Sequence, residues 1–147
     1  MDDTLYEKIR CFLNENDLFC KNNSMSITRV GKGCAFGELN AVHETHANGG
    51  NVVQGGALYT LADFVFAAAS CSYGKMAVTM NADISFVRPG KMGRITAEAR
   101  EINRGSRTGL YEVNVCQAES GKLLLHAVMT AFILEQDLFP NEKTENE

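Results

Sequence analysis

The 147-residue chain is 45% hydrophobic and 22% charged with only two prolines, a composition that suits one globular domain with a real core and excludes a low-complexity polymer. Its net charge of −4 argues against a nucleic-acid binder, and five acids against one lysine lie in residues 135–147, so the remainder of the chain is neutral. No stretch approaches the roughly 20 apolar residues of a membrane-spanning helix, and the start MDDTLYEKIR lacks the basic and apolar segments of a secretory leader.

In chain order, Thr4 offers an N-cap, and Leu5, Ile9, Phe12 and Leu13 recur at helical spacing, which predicts a short amphipathic helix over about 4–13. MSITRV (25–30) and GCAFGELN (33–40) are short β-branched or aromatic runs parted by Gly31 and Gly33, the pattern of a hairpin. A loop, AVHETHANGGNVVQ, leads into GGALYTLADFVFAAASCSY, an apolar run that predicts a helix over about 55–73, stopped by Gly74 and wrapped on most sides. Four stretches of strand character follow at 76–87, 92–103, 108–119 and 122–134, and their short links predict an antiparallel meander. The expected class is α+β: about six antiparallel strands curled around one long helix, in a single domain over 1–134 with a solvated acidic tail at 135–147.

Cys11, Cys20, Cys34, Cys71 and Cys116 are odd in number and contain no C-x-x-C pair, so reduced thiols and a cytoplasmic location are expected. His43 and His46 form H-x-x-H, but beyond Glu44 no further ligand lies at suitable spacing, and neither a metal nor a retained cofactor is predicted.

Asp63 is the single charge between Glu44 and Lys75, set among Leu61, Phe64, Val65 and Phe66. A carboxylate there costs several kcal/mol unless it is neutralised, paired or used, which marks it as a candidate for chemistry. Gly55-Gly56 opens the same helix, where free backbone N–H groups and the helix dipole favour an oxyanion and the absence of a β-carbon permits close approach. Donors and a carboxylate are two elements of acyl transfer. Eight residues at the helical rise separate Gly55 from Asp63 by about 12 Å, too far for one reacting centre, so the spacing predicts a homodimer in which two antiparallel helices share two interfacial sites.

The stretch His46-Ala-Asn48-Gly-Gly-Asn-Val-Val-Gln54-Gly55-Gly56-Ala-Leu-Tyr-Thr-Leu-Ala62-Asp63, with Asn81-Ala-Asp-Ile-Ser-Phe86-Val-Arg88-Pro89-Gly90, resembles hotdog-fold acyl-CoA thioesterases of the phenylacetate-pathway type over about residues 20–134. The resemblance implies Asp63 as general base or nucleophile toward a thioester carbonyl, Gly55 N–H as the donor polarising that carbonyl, and Asn48 and Thr79 as groups positioning the acyl group or water. It also implies a small or medium acyl-CoA as substrate, aromatic acyl groups included, and dimers that pair into tetramers. Gln54 departs from the family, many of whose members carry His before the double glycine; Gln can hydrogen-bond but cannot titrate near neutral pH. For the substrate, Gly56, the Arg88-Pro89-Gly90 turn, Lys91, and the Arg104-Gly-Ser-Arg107 turn are the candidates, with the cations Arg88, Lys91, Arg104 and Arg107 for CoA phosphates. A non-catalytic acyl-CoA-binding module on the same fold is the alternative. Hydratase chemistry is disfavoured, because the long helix holds no histidine and His126 falls in a distant strand.

Overall fold

A computed structural model describes residues 3–140. Helices α1 (Asp3–Asn16) and α2 (Leu18–Asn22) precede strands β1 (Met25–Gly31) and β2 (Cys34–Ala41), the single turn α3 (His43–His46) and the long helix α4 (Gly55–Ser70). Strands β3 (Lys75–Phe86), β4 (Gly93–Arg104), β5 (Thr108–Gln117) and β6 (Leu123–Asp137) complete one six-stranded sheet in the order β1-β2-β4-β5-β6-β3, antiparallel throughout.

The sheet wraps α4 because both surfaces ask for it. Helix α4 buries Leu58, Leu61, Phe64, Val65 and Phe66 to 2% exposure or less, each such side chain contributing about 1.5–3 kcal/mol on leaving water. The strands meet it with alternating inward residues: Ile95, Ala97 and Ala99 of β4, Tyr111, Val113 and Val115 of β5, and Ala127, Met129 and Ala131 of β6. Small residues let the helix settle close; a β-carbon on Gly37 of β2 would lie 2.7 Å from Val65 Cγ1. The ring of Phe66 packs edge-on against Tyr111, with centroids 5.4 Å apart.

The two edges of the sheet differ. Asn14 on α1 grips the backbone of Ile27 in β1, accepting from its N–H at 2.7 Å and donating to its carbonyl at 2.9 Å, so one edge carries a helix. At the other edge β3 presents twelve residues with Val78, Met80 and Phe86 exposed and, along 76–86, a single charge, Asp83. Proteins usually blunt such an edge with charge, proline or a covering element.

Three expectations are corrected. The four C-terminal strands do not form one meander: β4, β5 and β6 do, but β3 pairs with β6 at the far edge and β4 returns beside β2. Helix α4, about 24 Å long at the standard rise, carries the chain across the sheet and delivers β3 to the opposite side. Helix α4 also ends at Ser70, short of 73, with Cys71 as its cap and Gly74 at φ 86° turning into β3. Finally, β6 runs to Asp137, where Lys75 of β3 pairs with the Asp137 carboxylate, and Leu138 and Phe139 pack against the core; 135–139 thus belong to the fold, and 141–147 of the expected tail lie outside the described residues.

Candidate active site

Helix α4 and the open-edge strand β3 together position Asp63. The Thr79 hydroxyl donates to Asp63 Oδ1 at 2.8 Å, and Thr79 pairs with the inward residue Ala131, so its side chain faces the helix. Asp63 is half-buried. Burial pushes its carboxyl above the ordinary Asp value, the Thr79 hydrogen bond works in the opposite direction, and the nearby Asp17 carboxylate adds to the rise. A carboxylate so held is a better proton acceptor than a solvated one.

Gly55 lies one end of the helix away, packed on the other end of the same strand: a β-carbon there would be 3.1 Å from Phe86 Cε1. Its N–H meets the Gln54 side-chain oxygen at 3.1 Å, so Gln54 acts as the N-cap of α4. An amide oxygen on that N–H stands where a ligand carbonyl could be received. Gly56 follows in the first turn and borders a cavity of about 320 Å³ with Gln54 and Thr60.

The loop that aims the helix is tightly held. Asn48 Oδ1 accepts from Gly50 N at 2.8 Å and from Val52 N at 3.3 Å, so that oxygen serves the loop's own backbone. Pro89-Gly90 braces the same loop: Gly90 O accepts from Val53 N at 2.9 Å, and a β-carbon at Gly90 would sit 3.3 Å from Val53 Cβ and Leu124 Cδ1. His46 is buried, accepting from Val42 N at Nδ1 (2.9 Å) and donating from Nε2 to Asn23 O (2.8 Å), which leaves neither nitrogen for a metal. His43 bonds Asn51 instead. Among the described residues no cluster of metal-ligand type is found, and no helix is long and apolar enough to cross a membrane.

The basic candidates separate into two groups. Arg88 and Lys91 line a cavity of about 590 Å³ near the start of α4, joined by Lys122 and opposed by Glu119. The Gln117 side chain fixes Lys91 by bonding its backbone N–H at 2.9 Å and its carbonyl at 3.0 Å. Arg104 instead stands at the other end of β4, roughly 35 Å away at the strand rise. Its guanidinium stacks 3.7 Å over Tyr73 and reaches Ser70 O and the Tyr111 hydroxyl, each at 3.5 Å, so it caps the C-terminus of α4. Arg107 lies on the adjoining turn, exposed, with its carbonyl accepting from Ile133 N. Within one chain, therefore, Arg104 and Arg107 do not share a surface with Arg88 and Lys91, because a twelve-residue strand separates turns that look adjacent in the basic segment.

Lys122 and Gln117 were not evident beforehand, since both approach from distant parts of the chain. Neither were Asp17, Phe19 and Cys20, which with Tyr59 and Phe64 line a cavity of about 300 Å³ at Asp63. The Asp17 N-cap preceding an apolar turn was the one local signal for them.

Comparison with known proteins agrees with this geometry. Residues 50–124 match the family model described as the thioesterase superfamily. The Escherichia coli acyl-coenzyme A thioesterase PaaI is 32% identical over 112 residues, 76% of this chain and 79% of that protein. A protein of Archaeoglobus fulgidus designated an esterase is 31% identical over 137 residues, 92% of this chain and 88% of that one. The solved structure of the E. coli PaaI protein superposes with a TM-score of 0.83 at 28% identity, covering 91% of this chain and 99% of that chain. Half the chain thus matches the family model and nearly all of it follows the fold of a relative: the chain belongs to the thioesterase superfamily, in the hotdog-fold branch typified by PaaI.

Proposed function

We propose that the protein hydrolyses a small or medium acyl-CoA to the free acid and CoA, with Asp63 as the general base or nucleophile and Gly55 N–H as the donor to the thioester carbonyl. The observation that carries the reading is the Asp63–Thr79 pair: a half-buried carboxylate of raised pKa, oriented by a hydroxyl and opening onto a cavity. In the general-base form, Asp63 takes a proton from water as the water oxygen bonds to the carbonyl carbon. The carbonyl oxygen becomes an oxyanion facing Gly55 N–H, which the Gln54 oxygen vacates. The tetrahedral adduct collapses with cleavage of the C–S bond, and the proton held by Asp63 passes to the departing thiolate. Thr79 keeps the carboxylate aimed; Asn48 acts by holding the loop before Gly55.

Asp63 and Gly55 sit about 12 Å apart on one helix, and each is tied to β3, through Thr79 and Phe86 respectively. The open edge of β3 suits an antiparallel copy of itself. Pairing in which Thr79 of one copy lies opposite Phe86 of the other sets each Asp63 beside the partner's Gly55, forming a homodimer with two shared sites. The cavity of Arg88, Lys91 and Lys122 lies near Gly55 and suits the phosphates of CoA. Pairing of dimers into tetramers is part of the same proposal and is read by the mass in solution.

Free-thiol release measured across short, medium, long and aromatic acyl-CoAs tests the activity. The Gln54 oxygen on Gly55 N–H is the observation favouring the second reading, a non-catalytic acyl-CoA-binding protein. Binding of acyl-CoA with no thiol released from any of them would support it.

A further inference from the structure

Helices α1 and α2 meet at Asp17, whose carboxylate accepts from Cys20 N at 3.0 Å and so caps α2. This junction lies against the flank of α4 that carries Asp63, and the space between them is the cavity of about 300 Å³. That volume is at the lower end of the roughly 300–1,000 Å³ found for small-molecule sites. A second cavity of similar size continues along α4 toward Gln54 and Gly56, and Phe19 and Thr60 border both. Phe19 is 65% exposed, a large aromatic left partly in water where two cavities meet. The junction lies outside residues 50–124, the span matched by the family model.

We infer that the substrate's acyl group occupies the cavity between Asp63 and the α1–α2 junction, where Phe19 limits its length and Asp17 rejects acyl groups ending in a carboxylate. The inference rests on the thioesterase reading of Asp63. A thioester carbonyl at Asp63 has a sulfur side and a carbon side. The sulfur side must lead toward the phosphate-binding cations near Gly55, and the carbon side then faces the cavity that opens on Asp63. Tyr59 and Phe64 offer apolar walls there. A third negative charge would enter a space already bordered by the Asp17 and Asp63 carboxylates, and like charges at that range repel. Cys20 and Tyr59, the other titratable groups facing Asp63, hold their protons more tightly than usual because of burial first and nearby carboxylates second, and offer no compensating cation.

Matched acyl-CoAs test this: butyryl against succinyl, and hexanoyl against adipoyl, assayed with wild type, Asp17→Asn and Phe19→Ala. The expected kcat/KM preference of the wild type for the neutral member of each pair is about tenfold or more. Asp17→Asn, which keeps an N-cap side chain on α2, narrows that preference several-fold, and Phe19→Ala moves the chain-length optimum upward by joining the two cavities. An unchanged neutral-to-anionic ratio in Asp17→Asn together with an unchanged length profile in Phe19→Ala overturns the inference. Absence of thiol release from every acyl-CoA would instead count against the reading of Asp63. Kd ratios for the same pairs, measured on Asp63→Asn with and without Asp17→Asn, report the pocket independently of turnover: the preference for the neutral member is smaller than in wild type because one of the two carboxylates is gone, and Asp17→Asn narrows it further.

Discussion

Thr79 donates a 2.8 Å hydrogen bond to Asp63 Oδ1 and thereby ties the one charge of the central helix to the one uncovered edge of the sheet. Burial raises the Asp63 pKa and Thr79 restrains the rise. Thr79→Val, which keeps the shape and deletes the donor, therefore moves the acid limb of the kcat/KM profile to higher pH, because the active form of Asp63 is the carboxylate. Thr79→Ser restores the limb toward its wild-type position. A pH profile of the three proteins reads this directly.

Asp63→Asn removes the base and lowers kcat by about 10²–10⁴, the usual contribution of a positioned acid–base group. Its stability should change in the opposite direction. The folded carboxyl holds its proton more tightly than the unfolded one, so stability falls as pH rises from the ordinary Asp value through the raised folded value, and stays lower above it. Asp63→Asn is consequently more stable than wild type at neutral pH and loses that advantage in acid. Urea unfolding on either side of about pH 4, the ordinary Asp value, checks both halves of the statement.

The basic residues should separate functionally as they do in space. Arg88→Ala and Lys91→Ala raise KM for acyl-CoA by about tenfold each through lost charge-assisted hydrogen bonds, an effect that shrinks with added salt. Neither alters KM for an acyl-pantetheine, which has no phosphate. Arg104→Ala leaves both constants near wild type but costs about 1–2 kcal/mol of stability, because it removes the stack on Tyr73 and the cap on α4. Steady-state kinetics on the two substrates and denaturant unfolding distinguish these outcomes.

What could be read in the sequence divides along physical lines. Asp63 was conspicuous because a lone charge in an apolar helix is costly, and the helix itself because its hydrophobic run is long and bounded by glycines. The strands were visible from their alternation, but not their order: nothing local in β3 says that it pairs with β6 and not with β4, since α4 decides where the chain re-enters the sheet. The same limit applied to the site. Arg88 and Arg104 look like one basic patch along the chain, yet the length of β4 separates them, while Lys122, Gln117 and Asp17 come to their places from distant segments. The length of the tail was misjudged because its acids read as solvated, although Asp137 pairs with Lys75 and Phe139 packs edge-on against Phe12.

The central claim is that each site joins Asp63 of one subunit to Gly55 of the other. Asp63→Asn and Gly55→Val, each inactive alone, should regain activity when mixed and allowed to exchange subunits, because half of the dimers then carry one intact and one doubly altered site; the expected recovery is about a quarter of wild type. With heterodimers verified by native mass spectrometry, no recovery above the separate variants would contradict a shared site.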